Sequence, residues 1–211
     1  MASGGPGSGA GDEGAAPAVL TVAFTDIVGS TALTEHLGDE RWVEVLAAHD
    51  AAVRTALAAH GGEEVKTTGD GFMAVFGRAG DAVRAGVAAG LLVGAVRVSG
   101  VPGGLRIRVG AHTGPVIRCS GDVLGRNVHL ARRITAAARG GEVLVSSSVR
   151  LAIREEAGLR AGPPRTLRFE GVAQPQVVFA MGVGAATAPG ATVHVLDTRR
   201  RRPGGGAAVS E

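Results

Sequence analysis

Glu63-Glu64-Val65-Lys66-Thr67-Thr68-Gly69-Asp70-Gly71-Phe72-Met73-Ala74-Val75-Phe76 reads as two short strands, 63–67 and 72–76, joined by a tight turn. Thr68-Gly69-Asp70-Gly71 supplies the residue types that a hairpin turn needs. Upstream, Ala18-Val-Leu-Thr-Val-Ala-Phe24 is another β-type run, and it stops abruptly at Thr25-Asp26. Ser30-Thr31 caps a helical stretch, and Asp39 caps a second one reaching about His60. In that second helix Trp42, Val45, Leu46, Val53 and Leu57 recur as on one buried face, and Gly61-Gly62 ends it. Downstream, an Ala/Val/Leu helix covers about Asp81 to Val98. Leu105 to His112 alternates like a strand, and Pro115 to Arg118 forms another. Leu124 to Ala138 is helical and ends at Gly140-Gly141. Glu142 to Ser146 is a strand, and Gln176 to Met181 is the last. The order β-α-α-β-β-α-β-α-β, with hairpins, predicts an α+β sandwich: a mostly antiparallel sheet with helices on one face.

The composition bounds what this fold can do. The chain has 211 residues, 45% hydrophobic and 19% charged, enough for one packed domain. Gly and Pro, 35 and 9 in all, are denser at the two ends than between them, which predicts a disordered leader over 1–16, a domain over 17–183 and a disordered tail over 184–211. No apolar run reaches the roughly 18–20 residues of a membrane helix. The leader carries Asp12 and Glu13 and has no apolar core, so it does not read as a signal peptide. One cysteine, Cys119, excludes an internal disulfide and a cysteine zinc site. These features predict a cytoplasmic protein. Net charge is only +3, aromatics are 3% and Tyr is absent, so nucleic-acid binding is not expected outside the run Arg199 to Arg202. Of the 22 basic residues Lys66 is the one lysine.

Three segments carry candidate chemistry. In Phe24-Thr25-Asp26-Ile27-Val28-Gly29-Ser30-Thr31 a carboxylate stands where a strand stops and a helix opens. That arrangement suits a metal-bound polyphosphate, with Asp26 on the cation and free N–H groups of Gly29, Ser30 and Thr31 facing phosphate. Alone, Asp26 could equally close a turn. Asp70 lies in the hairpin turn between two glycines, and two carboxylates at strand ends could share a pair of Mg²⁺ ions. In Gly121-Asp122-Val123-Leu124-Gly125-Arg126-Asn127-Val128-His129-Leu130-Ala131-Arg132-Arg133, His129 and Arg133 share a helix face and Asp122 lies just before the helix.

Together the three segments, with Arg106-Ile-Arg-Val-Gly-Ala-His-Thr-Gly114 and Gly140-Gly-Glu-Val-Leu-Val-Ser-Ser147, resemble the class III nucleotidyl cyclase (adenylate/guanylate cyclase) catalytic domain over about residues 17–182. The resemblance implies a ferredoxin-like α+β fold and a head-to-tail homodimer. It implies that Asp26, Asp70 and the carbonyl of Ile27 hold two Mg²⁺ or Mn²⁺ ions. It implies that Lys66 and Asp122 read the base, that His129 stands at the ribose position and that Arg133 stabilises the transition state. One chain would give Asp26 and Asp70, and the other Lys66, Asp122, His129 and Arg133.

Hydrogen bonding gives the base independently. A Lys ammonium only donates and a carboxylate only accepts, which complements adenine and mismatches guanine. Two unpaired groups at roughly 1–3 kcal/mol each would give about 10²–10⁴ in selectivity. ATP is therefore the expected substrate and cyclic AMP the product. Two positions depart from the family: His129 replaces the usual Asn, and Glu170 stands where a basic residue commonly precedes Gly171. They keep a second reading open, a weakly active or inactive cyclase-like domain that binds nucleotide or dimerises with a partner cyclase. His112 and Cys119 are expected to be structural.

Overall fold

The computed structural model describes residues 17–101 and 103–184. The expected leader, the tail beyond 184 and the arginine run lie outside them. The chain runs β1 (Ala18–Ile27), α1 (Ser30–Leu37), α2 (Asp39–Ala59), β2 (Glu63–Thr67), β3 (Phe72–Phe76), α3 (Ala79–Ala95), β4 (Ile107–Cys119), β5 (Asp122–Leu124), α4 (Arg126–Ala137), β6 (Val143–Ser146), α5 (Ser147–Ala152), β7 (Leu159–Leu167) and β8 (Gln176–Val183). Seven strands form one sheet in the order β2-β3-β1-β4-β6-β8-β7, and β5 folds back on β4. Among the described strands only β4 and β6 pair in parallel, joined through α4, so the sheet is mostly antiparallel as expected.

Helices cover both faces of the sheet, not one. β1 is apolar at consecutive positions, and its side chains alternate between two cores. Ala23 and Ile27 join Val45, Val53, Leu57 and Val83 in the core under α2 and α3. Val22 and Phe24 face the other way, with Met73, Val75, Val116, Val123 and Ala131 of α4. Leu144, Ile134 and Val178 continue that second layer. Two glycines of β4 let α4 lie against the sheet. A Cβ on Gly110 would overlap the backbone of Thr135, and one on Gly114 would come within 2.7 Å of the Asn127 amide.

Several boundaries shift from expectation. Gly29 and Gly38, not Ser30 and Asp39, precede α1 and α2, and neither helix has a side-chain cap. Pro115 does not interrupt β4; it pairs with Val19 at the outer end of β1. β7 contains Gly162-Pro163-Pro164, yet it is an edge strand whose register shifts between Ala161 and Pro164, which accommodates residues without an N–H. No helix among the described residues is long and apolar enough to cross a membrane. Cys119 is exposed at the end of β4.

Two buried histidines make the fold acid-sensitive. His49 is fully buried on α2; its Nδ1 donates to Asp50 Oδ1 at 3.0 Å, its ring tilts on Phe72, and its Nε2 has no partner. His112 is buried on β4, donating from Nε2 to Asn127 Oδ1 at 3.0 Å and accepting at Nδ1 from the Ser146 hydroxyl at 2.9 Å. Burial holds both imidazoles below their ordinary value of 6.5. The unfolded chain therefore binds protons that the native state refuses, and stability is lost as pH falls below about 6.5. Each group contributes up to about 1.4 kcal/mol per pH unit there. Thermal unfolding followed from pH 7.5 to 5.0 should show a falling midpoint, with a shallower slope in His49→Phe; an equal slope in that variant would remove His49 from the account.

Candidate active site

The hairpin turn between β2 and β3 closes directly over the end of β1. Phe24 pairs with Met73, so Gly71 lies opposite Asp26 and Asp70 follows at the tip. A Cβ on Gly71 would overlap the carbonyl oxygen of Thr25. The Phe72 amide donates to Thr25 Oγ1 at 3.0 Å, and the Thr68 amide to the Gly71 carbonyl at 2.8 Å. Asp26 and Asp70 are thus brought to one end of the sheet. Beside them, Gly29 adopts φ +72° and α1 opens at Ser30 with its first amides free of intrahelical partners. Ser30, Thr31, Trp42 and Asp70 line an open cleft of about 440 Å³. The Ile27 side chain is buried in the α2–α3 core.

Arg108 is a residue of this site to which the sequence assigned no definite role. The β1–β4 register sets it opposite Asp26, and its Nε donates to Asp26 Oδ2 at 2.7 Å. Its Nη1 donates to the Ala136 carbonyl of α4 at 3.2 Å. The pairing follows from strand register, which no local motif encodes. Asp70 makes no side-chain hydrogen bond among the described residues. No cluster of three or more His, Cys, Asp or Glu side chains suited to a metal occurs among the described residues either. Two carboxylates are nevertheless the donor set that Mg²⁺ takes when substrate phosphates and water supply the remaining oxygens. The residues present fit such an ion.

Lys66 and Asp122 meet, although 56 positions separate them. Lys66 Nζ donates to Asp122 Oδ2 at 2.5 Å. That contact, followed by the Val123 amide on Oδ1, holds the Asp122 carboxyl below the usual range. Asp122 is not at the mouth of the helix: it opens β5, pairs with Cys119, and Gly125 precedes α4. Both groups are partly exposed, so a donor and an acceptor stand side by side facing solvent.

On α4, His129 is exposed and Arg133 is half-buried, with its Nη2 about 3.5 Å from where a Cβ on Gly171 would lie. Neither makes a side-chain hydrogen bond among the described residues. Arg168 and Glu170 are both exposed. Asn127 cannot replace the absent amide at 129, because it donates to the Pro115 carbonyl at 2.6 Å and accepts from His112. No ion pair among the described residues joins Lys66, Asp122, His129 or Arg133 to Asp26 or Asp70.

A family model described as the adenylate and guanylate cyclase catalytic domain matches residues 16–171. An uncharacterized protein of Mycobacterium tuberculosis is 33% identical over 162 residues, covering 75% of this chain and 40% of its own length. An adenylate cyclase of Streptomyces coelicolor is 36% identical over 129 residues, covering 61% of this chain and 32% of its own. The chain thus spans about 40% or less of these curated relatives. Among solved structures, the guanylyl cyclase Cya2 superposes with a TM-score of 0.69 at 27% identity, covering 81% of this chain and 95% of that one. The adenylyl cyclase CyaB from P. aeruginosa gives 0.68 at 25%, covering 82% and 97%.

The close approach at the turn is open to a direct test. Gly71→Ala should cost roughly 1–3 kcal/mol in denaturant unfolding, as backbone must move to admit the methyl. Gly77→Ala, where nothing lies within 4 Å, should stay within about 0.5 kcal/mol. Equal effects would show that the turn has room to spare.

Proposed function

The chain belongs to the adenylate and guanylate cyclase catalytic domain family, and from that premise we propose that it converts ATP to 3′,5′-cyclic AMP and pyrophosphate as a cytoplasmic homodimer, through a catalytic domain over 17–183. The observation that carries the choice of ATP is the contact between Lys66 and Asp122. Lys66 donates to adenine N1 and Asp122 accepts from the 6-amino group; guanine would oppose like to like at both atoms.

The remaining roles follow from position. Asp26, Asp70 and the Ile27 carbonyl would hold two Mg²⁺ or Mn²⁺ ions, whose chemistry would be to lower the pKa of the ribose 3′-hydroxyl and to neutralise charge on the leaving phosphates. The amides of Gly29, Ser30 and Thr31 face the polyphosphate. The 3′-hydroxyl loses its proton to solvent as its oxygen bonds the α-phosphorus, and the bond from that phosphorus to pyrophosphate breaks. Arg133 meets the charge that develops on the α-phosphate, and His129 donates to the ribose. Arg108 holds the Asp26 carboxylate in place from β4. A site completed by a second copy is supported by an uncovered apolar strip at the outer end of β1 and the β4–β5 hairpin: Val19 is 65% exposed, Ile117 48% and Leu124 47%.

Purified full chain with ATP and Mn²⁺ should form cyclic AMP, and Asp26→Ala should lower the rate by at least about 10²-fold. No product with either metal across pH 6–9 would favour the inactive, nucleotide-binding reading instead. Mixing Asp70→Ala with Arg133→Ala chains should restore about a quarter of native activity, the share of intact sites in randomly paired dimers. Confirmed mixed dimers without activity would place the whole site within one chain.

A further inference from the structure

We propose that Glu63 and Arg118 form a clamp that sets the spacing of Lys66 and Asp122, and thereby act as positioning residues for the choice of base. The inference rests on the reading of Lys66 and Asp122 as the base-reading pair.

The argument starts from the register of β2. Glu63 pairs with Val75 and Glu64 with Ala74, but Lys66 pairs with Met73, so Val65 is an extra residue, a β-bulge. In a regular strand residues three apart point to opposite faces. The bulge reverses that parity. Glu63 and Lys66 share the face of Val75 and Met73, the face of the α4 core. Glu64 points to the other, where Arg54 of α2 donates to it at 2.9 and 3.1 Å.

The β4–β5 hairpin reaches this same face. β2 and β4 are separated in the sheet by β3 and β1, so the hairpin must cross over both to touch β2. It turns tightly at Ser120 and Gly121, with φ of +47° and +80°. Arg118 and Asp122 project from its two arms. Arg118 Nη1 and Nη2 donate to Glu63 Oε1 and Oε2 at 2.7 and 2.9 Å, a bidentate fork. Beneath it Val116 and Val123 pack with Met73 and Val75, and Val65 packs against them.

The charges run in opposite order on the two elements. β2 offers an anion, Glu63, then a cation, Lys66. The hairpin offers a cation, Arg118, then an anion, Asp122. Only one docking of the hairpin satisfies both pairs; a slip one way sets Arg118 against Lys66, and a slip the other way sets Asp122 against Glu63. A Lys ammonium is a point charge that tolerates many geometries, whereas a planar guanidinium on a carboxylate fixes distance and direction. The fork therefore holds the geometry that the lysine alone cannot. The Arg118 guanidinium also keeps the Glu63 carboxyl below its usual range, so the clamp stays charged. Glu63 is 58% and Arg118 43% exposed, so the pair adds little to stability and can be removed without unfolding the domain.

The test is a double-mutant cycle on the full chain with Glu63→Gln, Arg118→Met and both together, and with Lys66→Glu as reference. Dissociation constants are measured by displacing a fluorescent ATP derivative with ATP or GTP, alongside kcat and thermal midpoints. Each single variant should lower the preference for ATP over GTP about tenfold, and the double variant no further, since the two residues act as one unit. Arg118→Lys, which keeps charge but not the fork, should resemble Arg118→Met. kcat should stay within about threefold, and thermal midpoints should not move. If Lys66→Glu shifts the preference and the clamp variants do not, or if the single effects multiply, the clamp is wrong. If Lys66→Glu itself leaves the preference unchanged, the base-reading assignment fails and the clamp with it.

Discussion

The contact between Gly71 and the end of β1 governs the candidate site. A side chain at 71 has nowhere to go, and only glycine lets the hairpin tip press onto the Thr25 carbonyl. From that contact follow the placement of Asp70 next to Asp26, the seating of the Phe72 amide on Thr25 Oγ1 and the cleft beside α1. The same device recurs at Gly110 and Gly114, where missing side chains let α4 settle against β4. His129 and Arg133 owe their height above the sheet to those two glycines. At Gly71 and Gly110 the contact is backbone on backbone, which is stiffer than side-chain packing because it has no rotamers to yield.

Charge is distributed unevenly across the site. Asp26 is matched by Arg108 and Asp122 by Lys66, each pair formed between different elements. Asp70 and Arg133 have no ionic partner among the described residues. The matched pairs hold their side chains in place beforehand, which reduces the ordering that a ligand must impose.

Much of the architecture was legible in the residues. The strands 63–67 and 72–76 and the two helices that follow β1 stand where turn chemistry and periodicity put them. The misreadings have physical causes. β5 is three residues long, too short for any period. β7 carries Gly-Pro-Pro, which argues against a strand unless it lies at an edge with shifted register, as it does. Helices on one face were expected, but Val22, Ala23 and Phe24 are buried in succession, which only a sheet covered on both sides permits. In the candidate site, local motifs nominate residues from the sequence, while Arg108, Glu63 and Arg118 lie in no such motif and receive no definite part. Their partners are set by register between distant strands, and register turns on single residues.

Val65 shows what that dependence means for change over time. Its side chain is ordinary, and many apolar residues would serve in its place. How the strand absorbs it is another matter. Pairing without the bulge would set Lys66 opposite Phe72 instead of Met73 and carry it round to the side of α2, with every neighbouring residue type preserved. A one-residue insertion or deletion between Lys66 and the turn has the same consequence, whereas loss of Val65 itself leaves Lys66 opposite Met73. Sequences descended from this one should vary among apolar residues at 65 while keeping the length of the segment from Lys66 to Asp70 fixed.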